Sequence, residues 1–412
     1  MADTNAVPDK QRVAKPSSIR AQVLNAVILL PWFIGGILSF LPMIRGGGVD
    51  FRNMYTAGYM VRSGHGHEIY DSSAQKRFQN ERVSYADIPL PFIRPAYQAI
   101  LFAPFSYLSF RWAYCAFYVF NLGVLTLCFR LLQPYMAVLA RVSSYLPAMM
   151  FLFLPINSAL ASGQDSIVLM TLLAGALACI EQDREFLAGV LVALGLFKFQ
   201  LVIPIAVLFL LWRRWRFSVA FACTATFLAA ISIWIAGVAQ SVQYVQSMTH
   251  LGYTFRISPR FPLPIDKMAN LHGALHAILG ESSSVLPMTI AASALTMIFF
   301  ASRRPRGGDA LLVSIPASCL VSYYLVAYDM CILLVPIVVT LSRLTVYKNP
   351  GYRFGRFKLI TSALLFIFPI FVLMSSLQYW TVSLPLLGFA IAISLPGTPG
   401  LDSERDLVHP LL

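Results

Sequence analysis

The sequence predicts an all-α integral membrane protein that crosses the bilayer about ten to twelve times. Hydrophobic residues make up 58% of its 412 positions and charged residues only 12%, whereas soluble domains are roughly 45–50% apolar and roughly 25% charged. Apolar runs of about 20 residues recur along the chain, separated by polar segments. This composition excludes a soluble globular domain, a disordered chain and a coiled coil.

Most of the predicted spans are apolar runs long enough to cross about 30 Å of hydrocarbon. Two further regions are ambiguous. Residues 186–212 are apolar except for Lys198 and Gln200. Residues 329–342 form a short apolar run that begins at Asp329. The first region is either one long span or two short helices that meet at Lys198. The clear runs are 21–44, 110–133, 142–160, 163–181, 217–238, 286–302, 309–327, 359–376 and 378–395.

Basic residues decide how the spans are oriented, because cytoplasmic loops are enriched in Lys and Arg. The net charge is +13, and the positive charge lies in short clusters beside apolar runs, such as 213–216 and 303–306. Such clusters indicate loop orientation rather than nucleic-acid binding. A chain reversal at Lys198 puts both clusters on the side of the basic N-terminal tail, so two short helices are favoured. This topology has cytoplasmic tails at 1–20 and 397–412, a membrane domain at 21–396, and outer loops at 45–95 and 239–285.

Polar side chains at membrane depth are costly and by default mark functional sites. Asp50 follows a glycine turn after the first span, Lys198 interrupts an apolar run, and Asp329 precedes a short span. The favoured topology puts all three at one membrane face, with Gln164 and Asp165 in a turn beside them. A carboxylate can take a proton from an acceptor hydroxyl, and a cation can stabilise a phosphate leaving group. This set therefore suits group transfer from a lipid phosphate.

Each of these three residues also has an ordinary structural interpretation. Asp50 could be a loop acid beside Arg45 or Arg52. Lys198 could extend to the bilayer surface, and Asp329 could cap the helix that follows it.

For the whole protein, the alternatives are a lipid-linked sugar flippase or other transporter, and a structural membrane subunit. A transporter should carry charged residues through the middle of several spans, with helix breaks at matching positions. The spans of this chain are nearly free of charge away from one face. An enzyme is therefore favoured over a transporter.

Several short motifs follow one another between residues 45 and 345. They read Asp-Phe-Arg-Asn-Met-Tyr-Thr-Ala at 50–57, Pro-Phe-Ile-Arg-Pro at 91–95, Gly-Gln-Asp-Ser at 163–166 and Tyr-Asp-Met-Cys-Ile at 328–332, and Lys198 follows an Ala-Gly pair. Their order and spacing resemble the bacterial polyprenol-phosphate-mannose-dependent mannosyltransferases. These enzymes form glycosyltransferase family 87, within the GT-C superfamily of multi-span glycosyltransferases.

The resemblance implies a GT-C-like helical bundle with a large first outer loop, facing the periplasm from a bacterial inner membrane. It implies a polyprenyl-phosphate sugar as donor, a glycan or glycolipid as acceptor, and neither a cofactor nor a metal ion. The catalytic acid of the family falls on Asp50, and its lysine falls on Lys198. The further candidates are donor-phosphate contacts at Arg94, Arg256 and Arg260 and substrate contacts at Arg52, Tyr55, Gln164, Asp165, Tyr328 and Asp329.

The chain departs from the family pattern in three places. It has Arg94-Pro-Ala where the family has Tyr-Pro-Pro, Lys198-Phe where the family has Lys-Pro, and Tyr328-Asp where the family has His-Asp. These differences bear on the donor sugar, for which mannose is expected, and on the acceptor. The expected reaction is the same in either case.

Overall fold

The structure is a computed structural model that describes most of the chain as helix. The predicted span at 21–44, both predicted tails and Arg260 lie outside the described residues. The helical content and the apolar helices make the protein an all-α membrane protein, as predicted. The described residues are 50–84, 89–142, 150, 153–254, 256–258, 261–262, 265–280, 282–346, 354–374 and 378–395.

Most described helices overlap the predicted apolar runs, and two more lie in the first outer loop. The helices Ala99–Phe102 and Leu271–Leu279 lie outside the predicted runs, and Gln133–Val142 touches them only at its ends. The helix that begins at Trp215 continues to Thr254, into the predicted second outer loop. A short antiparallel ribbon, β1 (Arg256–Ser258) with β2 (Phe261–Pro262), accompanies the helices. The helices are α1 Phe51–Arg62, α2 Ser72–Arg82, α3 Ala99–Phe102, α4 Phe110–Leu131, α5 Gln133–Val142, α6 Leu154–Ser162, α7 Ser166–Glu181, α8 Glu185–Leu194, α9 Phe199–Leu211, α10 Trp215–Thr254, α11 Leu271–Leu279, α12 Val285–Ala301, α13 Asp309–Val321, α14 Leu334–Val346, α15 Gly355–Met374 and α16 Ser383–Ser394.

Four described segments are long and apolar enough to cross a membrane. They are Phe110–Leu131, Glu185–Leu211, Trp215–Met248 and Ala327–Thr345, and the criterion is length and composition alone. Four shorter apolar helices accompany them within the described residues. The total number of spans stays a prediction, because the first of them lies outside the described residues.

The segment from Glu185 to Leu211 is two helices and not one straight rod. A short 3₁₀ turn, Gly195–Lys198, separates α8 from α9. A straight helix of this length would hold its ends about 40 Å apart, yet the Arg214 guanidinium forms an ion pair with the Glu185 carboxylate. The chain therefore reverses at Lys198, as the positive charges predicted.

A second reversal lies between α13 and α14. The ion pair between Asp309 and Arg343 joins the far ends of these two helices. Their near ends are linked by the 3₁₀ turn Ala327–Leu333. Each of these two helix pairs is called a V below, and the turn between its helices is called the apex. In each V an ion pair joins the two helix ends far from the apex. The apex carries a polar residue, which is Lys198 in the first V and Asp329 in the second.

An aromatic cluster fixes the start of α1, and with it the position of Asp50. Phe51 is fully buried and stacks on Phe117 of α4, with ring centroids 5.2 Å apart. Its ring also meets the edges of the Phe102 and Tyr114 rings. Because burial of one Phe side chain stabilises by roughly 1.5–3 kcal/mol, this cluster holds the residue before it against the membrane bundle.

Candidate active site

The turn between α6 and α7 places two polar side chains at the centre of the site. Gly163 ends α6 with a φ of 66°, a left-handed conformation that favours glycine. A Cβ there would lie 2.8 Å from Phe51 Cβ, so the position also requires the smallest residue. Gln164 and Asp165 follow, and the Asn121 side-chain amide donates to the backbone carbonyl of Gln164 at 3.1 Å.

Lys198 is fully buried and paired with carboxylates. Its Nζ lies 2.5 Å from Asp329 Oδ1 and 3.5 Å from Asp165 Oδ1. The Ser166 hydroxyl donates to the same Asp329 oxygen at 3.1 Å. Lys198 therefore does not extend to the bilayer surface. The Asp329 carboxylate accepts its described hydrogen bonds from the Lys198 and Ser166 side chains, and not from the backbone at the start of a helix.

Arg94 joins the apex of the first V to the α6–α7 turn. Its Nη1 donates to the Phe197 carbonyl at 2.8 Å, and its Nη2 donates to Gln164 Oε1 at 3.3 Å. The same Nη2 lies 3.9 Å from Asp165 Oδ1, and the arginine side chain keeps 12% of its surface exposed. The Gln98 amide donates to the other oxygen of Asp165. Arg94 is thus the more accessible of the two cations in this cluster.

Asp50 lies at the edge of the cluster and is partly exposed. Its Oδ2 accepts a hydrogen bond from Gln164 Nε2 at 2.9 Å, and it makes no side-chain cap bond to α1. Burial raises the pKa of the Asp50 carboxyl, whereas the Gln164 bond and the charges of Lys198 and Arg94 lower it. The Asp50 pKa lies above its ordinary value after these opposing effects.

The Gln164 side chain therefore bridges Asp50 and Arg94. One amide accepts from the guanidinium and donates to the carboxylate, which fixes the orientation of both. A potential proton acceptor and a cation thus share one bridging residue at one end of the bundle.

The other predicted site residues are distributed differently. The Tyr328 ring lies against the Lys198 ammonium, 5.1 Å from ring centroid to Nζ. Arg52 instead hydrogen-bonds Gln79 and Ser84, which removes it as the described partner of Asp50. The Tyr55 hydroxyl donates to the Leu108 carbonyl at 2.9 Å.

Arg256 belongs to β1, and its side chain is outside the described part of the structure, as are Arg45 and Arg260. The roles of all these residues in substrate binding stay predictions.

Two buried polar residues that complete the cluster, Gln98 and Asn121, were not among the predicted site residues, and Ser166 was predicted only as part of the motif at 163–166. Asn121 is polar within the apolar run 110–133, a feature that by itself marks a buried partner. Gln98 lies near a turn, where polar residues are common. Nothing in the sequence distinguishes it from a solvent-exposed turn residue.

At one end of its helical bundle this membrane protein joins a carboxylate and a guanidinium through one side-chain amide. A family model for glycosyltransferase family 87 matches residues 92–327 of the chain. The match covers more than half of the sequence, and the chain belongs to this family. The protein is therefore a membrane glycosyltransferase.

One curated relative is 24% identical over 304 residues, which are 72% of this chain and 67% of the relative. It is the polyprenol-phosphate-mannose-dependent alpha-(1-2)-phosphatidylinositol pentamannoside mannosyltransferase of Mycolicibacterium smegmatis. No solved structure matches the chain.

The Lys198–Asp329 pair predicts a strong coupling in stability. Lys198→Met or Asp329→Asn alone leaves one buried charge without its closest partner, and breaking such a pair costs about 3–5 kcal/mol. The double variant removes both charges and should recover most of the loss. Thermal unfolding of the purified protein in detergent measures all four forms. Additive losses in the double variant would show that the two residues do not stabilise each other.

Proposed function

We propose that this glycosyltransferase moves a hexose, mannose in the first instance, from a polyprenyl-phosphate donor to a glycan or glycolipid acceptor. The reaction takes place at the outer, periplasmic face of a bacterial inner membrane. The observation that carries the proposal is the Asp50–Gln164–Arg94 arrangement in a chain of family 87. The mannosyltransferase relative, whose name specifies a polyprenol-phosphate-mannose donor, supports the choice of donor.

Asp50 is the general base of the proposed reaction. The acceptor hydroxyl attacks the anomeric carbon while the bond from that carbon to the phosphate oxygen breaks. The hydroxyl proton passes to the Asp50 carboxylate, and polyprenyl phosphate leaves with the bonding electrons. A raised pKa suits this task, because a base accepts a proton best when its pKa lies near the working pH. Asp50 is also partly exposed, so an acceptor can reach it.

Arg94 and Lys198 are the proposed cations for the leaving phosphate. Arg94 retains exposed surface and has five donors, of which the described contacts use only part. Lys198 is buried behind it and acts on the phosphate through space, in a region where water screens charges poorly. Arg256 and Arg260 remain candidates for a further phosphate contact from the second outer loop.

The decisive variant is Asp50→Asn. It keeps the size of the side chain and can still hydrogen-bond Gln164, but it cannot take a proton. General-base catalysis contributes about 100- to 10,000-fold, so transfer of labelled sugar should fall by that factor while donor binding persists. The measurement is single-turnover transfer from polyprenyl-phosphate mannose in nanodiscs. Wild-type turnover by Asp50→Asn would show that Asp50 is not the base, and an inactive Asp329→Asn protein that is still folded would then point to that carboxylate instead.

The bridging amide predicts a change in pH dependence. Asp50 must be ionised to act, so the rate should fall as the pH drops through the raised Asp50 pKa. Gln164→Leu removes a bond that lowers this pKa, so the acid limb of the pH–rate profile should move to higher pH. Gln98→Leu is the matched control, because Gln98 donates to Asp165 and not to Asp50. An equal loss of rate at every pH in Gln164→Leu would mean that the amide does not set the ionisation of Asp50.

The proposed orientation is tested by cysteine labelling. Ser73 in α2 and Ser302 after α12 are both exposed, and Ser302 precedes the basic cluster at 303–306. In a background with the exposed Cys223 replaced by Ser, Ser73→Cys should react with an impermeant maleimide in intact cells. Ser302→Cys should react only after permeabilisation. The reverse pattern would place the site at the cytoplasmic face.

A further inference from the structure

Helix α10 breaks at Gly237, and the part beyond the break packs against Tyr70. Gly237 has a φ of 79° and a ψ of 163°, which are not helical values. Before the break, the Ser232 hydroxyl accepts from the Tyr97 backbone N–H at 3.2 Å. Beyond it, the Tyr244 ring stacks on the Tyr70 ring, and the Tyr70 hydroxyl donates to the Arg94 carbonyl. A straight helix would separate residues 232 and 244 by about 18 Å, so the break brings Tyr244 to the 94–97 segment.

The segment beyond Gly237 has two distinct faces. Val238, Val242 and Val245 are exposed, at the spacing of one helix face. Gln240 and Tyr244 lie on the opposite face and are partly buried. The apolar outer face suits the lipid interface, and the inner face presents Tyr244 to the protein.

The Tyr244 hydroxyl is buried, and within the described chain it has no hydrogen-bond partner. Leaving a buried hydroxyl unsatisfied costs about 1–3 kcal/mol, and each such group in a native protein requires an explanation. The ring is held firmly, with its centroid 4.8 Å from that of Tyr70 and the planes 22° apart. The ring is therefore held in place, while its hydroxyl has no hydrogen-bond partner among the described residues.

Around Tyr244 lie one cation and three further phenols, which are groups that can donate hydrogen bonds to the oxygens of an anion. Arg94, Tyr97, Tyr70 and Tyr323 all lie within electrostatic range of it. Arg94 is the proposed phosphate contact and reaches Asp50 through Gln164. A substrate bound at Arg94 would bring oxygen acceptors to the edge of the Tyr244 ring, where a phenol can donate.

We propose that Tyr244 is a donor-binding residue, which donates a hydrogen bond to a phosphate or sugar oxygen of the polyprenyl-phosphate sugar. The break at Gly237 delivers it from the lipid-facing part of α10. This inference rests on the proposed function, because it takes the donor from there. It adds a residue of the second outer loop to the site.

The test is Tyr244→Phe, which keeps the stack on Tyr70 and removes only the hydroxyl. Loss of the hydrogen bond should weaken binding of polyprenyl-phosphate mannose by about 3- to 10-fold if the acceptor is a neutral sugar oxygen, and by about 10- to 100-fold if it is the charged phosphate. The Kd is measured by retention of the radiolabelled lipid on purified protein in nanodiscs. The KM for the donor should rise by a similar factor, with the acceptor KM unchanged. Tyr107→Phe is the control, because Tyr107 is 74% exposed and belongs neither to the cluster around Lys198 nor to α10.

Two lipids distinguish the source of the oxygen. Equal weakening for polyprenyl phosphate and polyprenyl-phosphate mannose assigns the bond to the phosphate, whereas weakening for the mannosylated lipid alone assigns it to the sugar. A wild-type protein that binds neither lipid would overturn the proposed donor itself. A wild type that binds the donor, with a Tyr244→Phe variant that binds it equally well or changes only the acceptor KM, would overturn the role of Tyr244 alone.

Gly237→Ala provides a second variant with a different physical cause. An added Cβ meets no atom within 4 Å, so only the φ of 79° is affected. Alanine disfavours that conformation, and the segment beyond the break should shift. Weaker donor binding in a folded Gly237→Ala protein is expected. An unchanged donor Kd would contradict delivery of Tyr244 by this break.

Discussion

The buried ion pair between Lys198 and Asp329 is the interaction on which the site depends. These residues are 131 positions apart in sequence, and each lies at the apex of a V-shaped helix pair. Two charges in a low-dielectric interior are stable only with close partners and further hydrogen bonds, which Asp165 and Ser166 supply. Because the pair exists only when both apexes meet, it fixes how deep each V lies in the bundle. The α6–α7 turn is held against the same pair, and Gln164 is thereby aimed at Asp50.

The opposite end of the bundle shows the complementary constraint. Glu185 with Arg214, and Asp309 with Arg343, tie the open arms of the two V-shaped pairs. These pairs are partly exposed, so each contributes little to stability on its own. Their effect is geometric, since each pair joins the two ends of its helix pair that lie farthest from the turn. The first V therefore has a fully buried polar apex at Lys198, and the charged side chains at its far ends are partly exposed.

The sequence predicted the polar apexes, because a charge inside an apolar run has few explanations other than a partner or a reaction. It also predicted the reversal at Lys198 from the positions of Arg213 and Arg214. It could not predict which apex residues pair, because that depends on how helices far apart in sequence pack. Residues 239–254 were expected to belong to the second outer loop. They continue as helix, because the spacing of Val238, Val242 and Val245 supports an amphipathic turn. Gln98 escaped notice for the same reason as the ion pair, since its partner is 67 positions away.

Charge balance explains why a bridging amide belongs between Asp50 and Arg94. The cluster holds three carboxylates, of Asp50, Asp165 and Asp329, and two cations, Arg94 and Lys198. In the proposed reaction the lipid phosphate begins as a diester with one negative charge and leaves as a monoester with a second. Asp50 loses its own charge at the same time, by accepting the acceptor proton. The total charge of the buried region is therefore constant while one unit of negative charge moves from the carboxylate toward the guanidinium.

The Gln164 side chain lies between these two groups, with its carbonyl toward Arg94 and its N–H toward Asp50. Its fixed dipole supports the ionised base before the proton moves, and a preorganised dipole needs no reorganisation during the step.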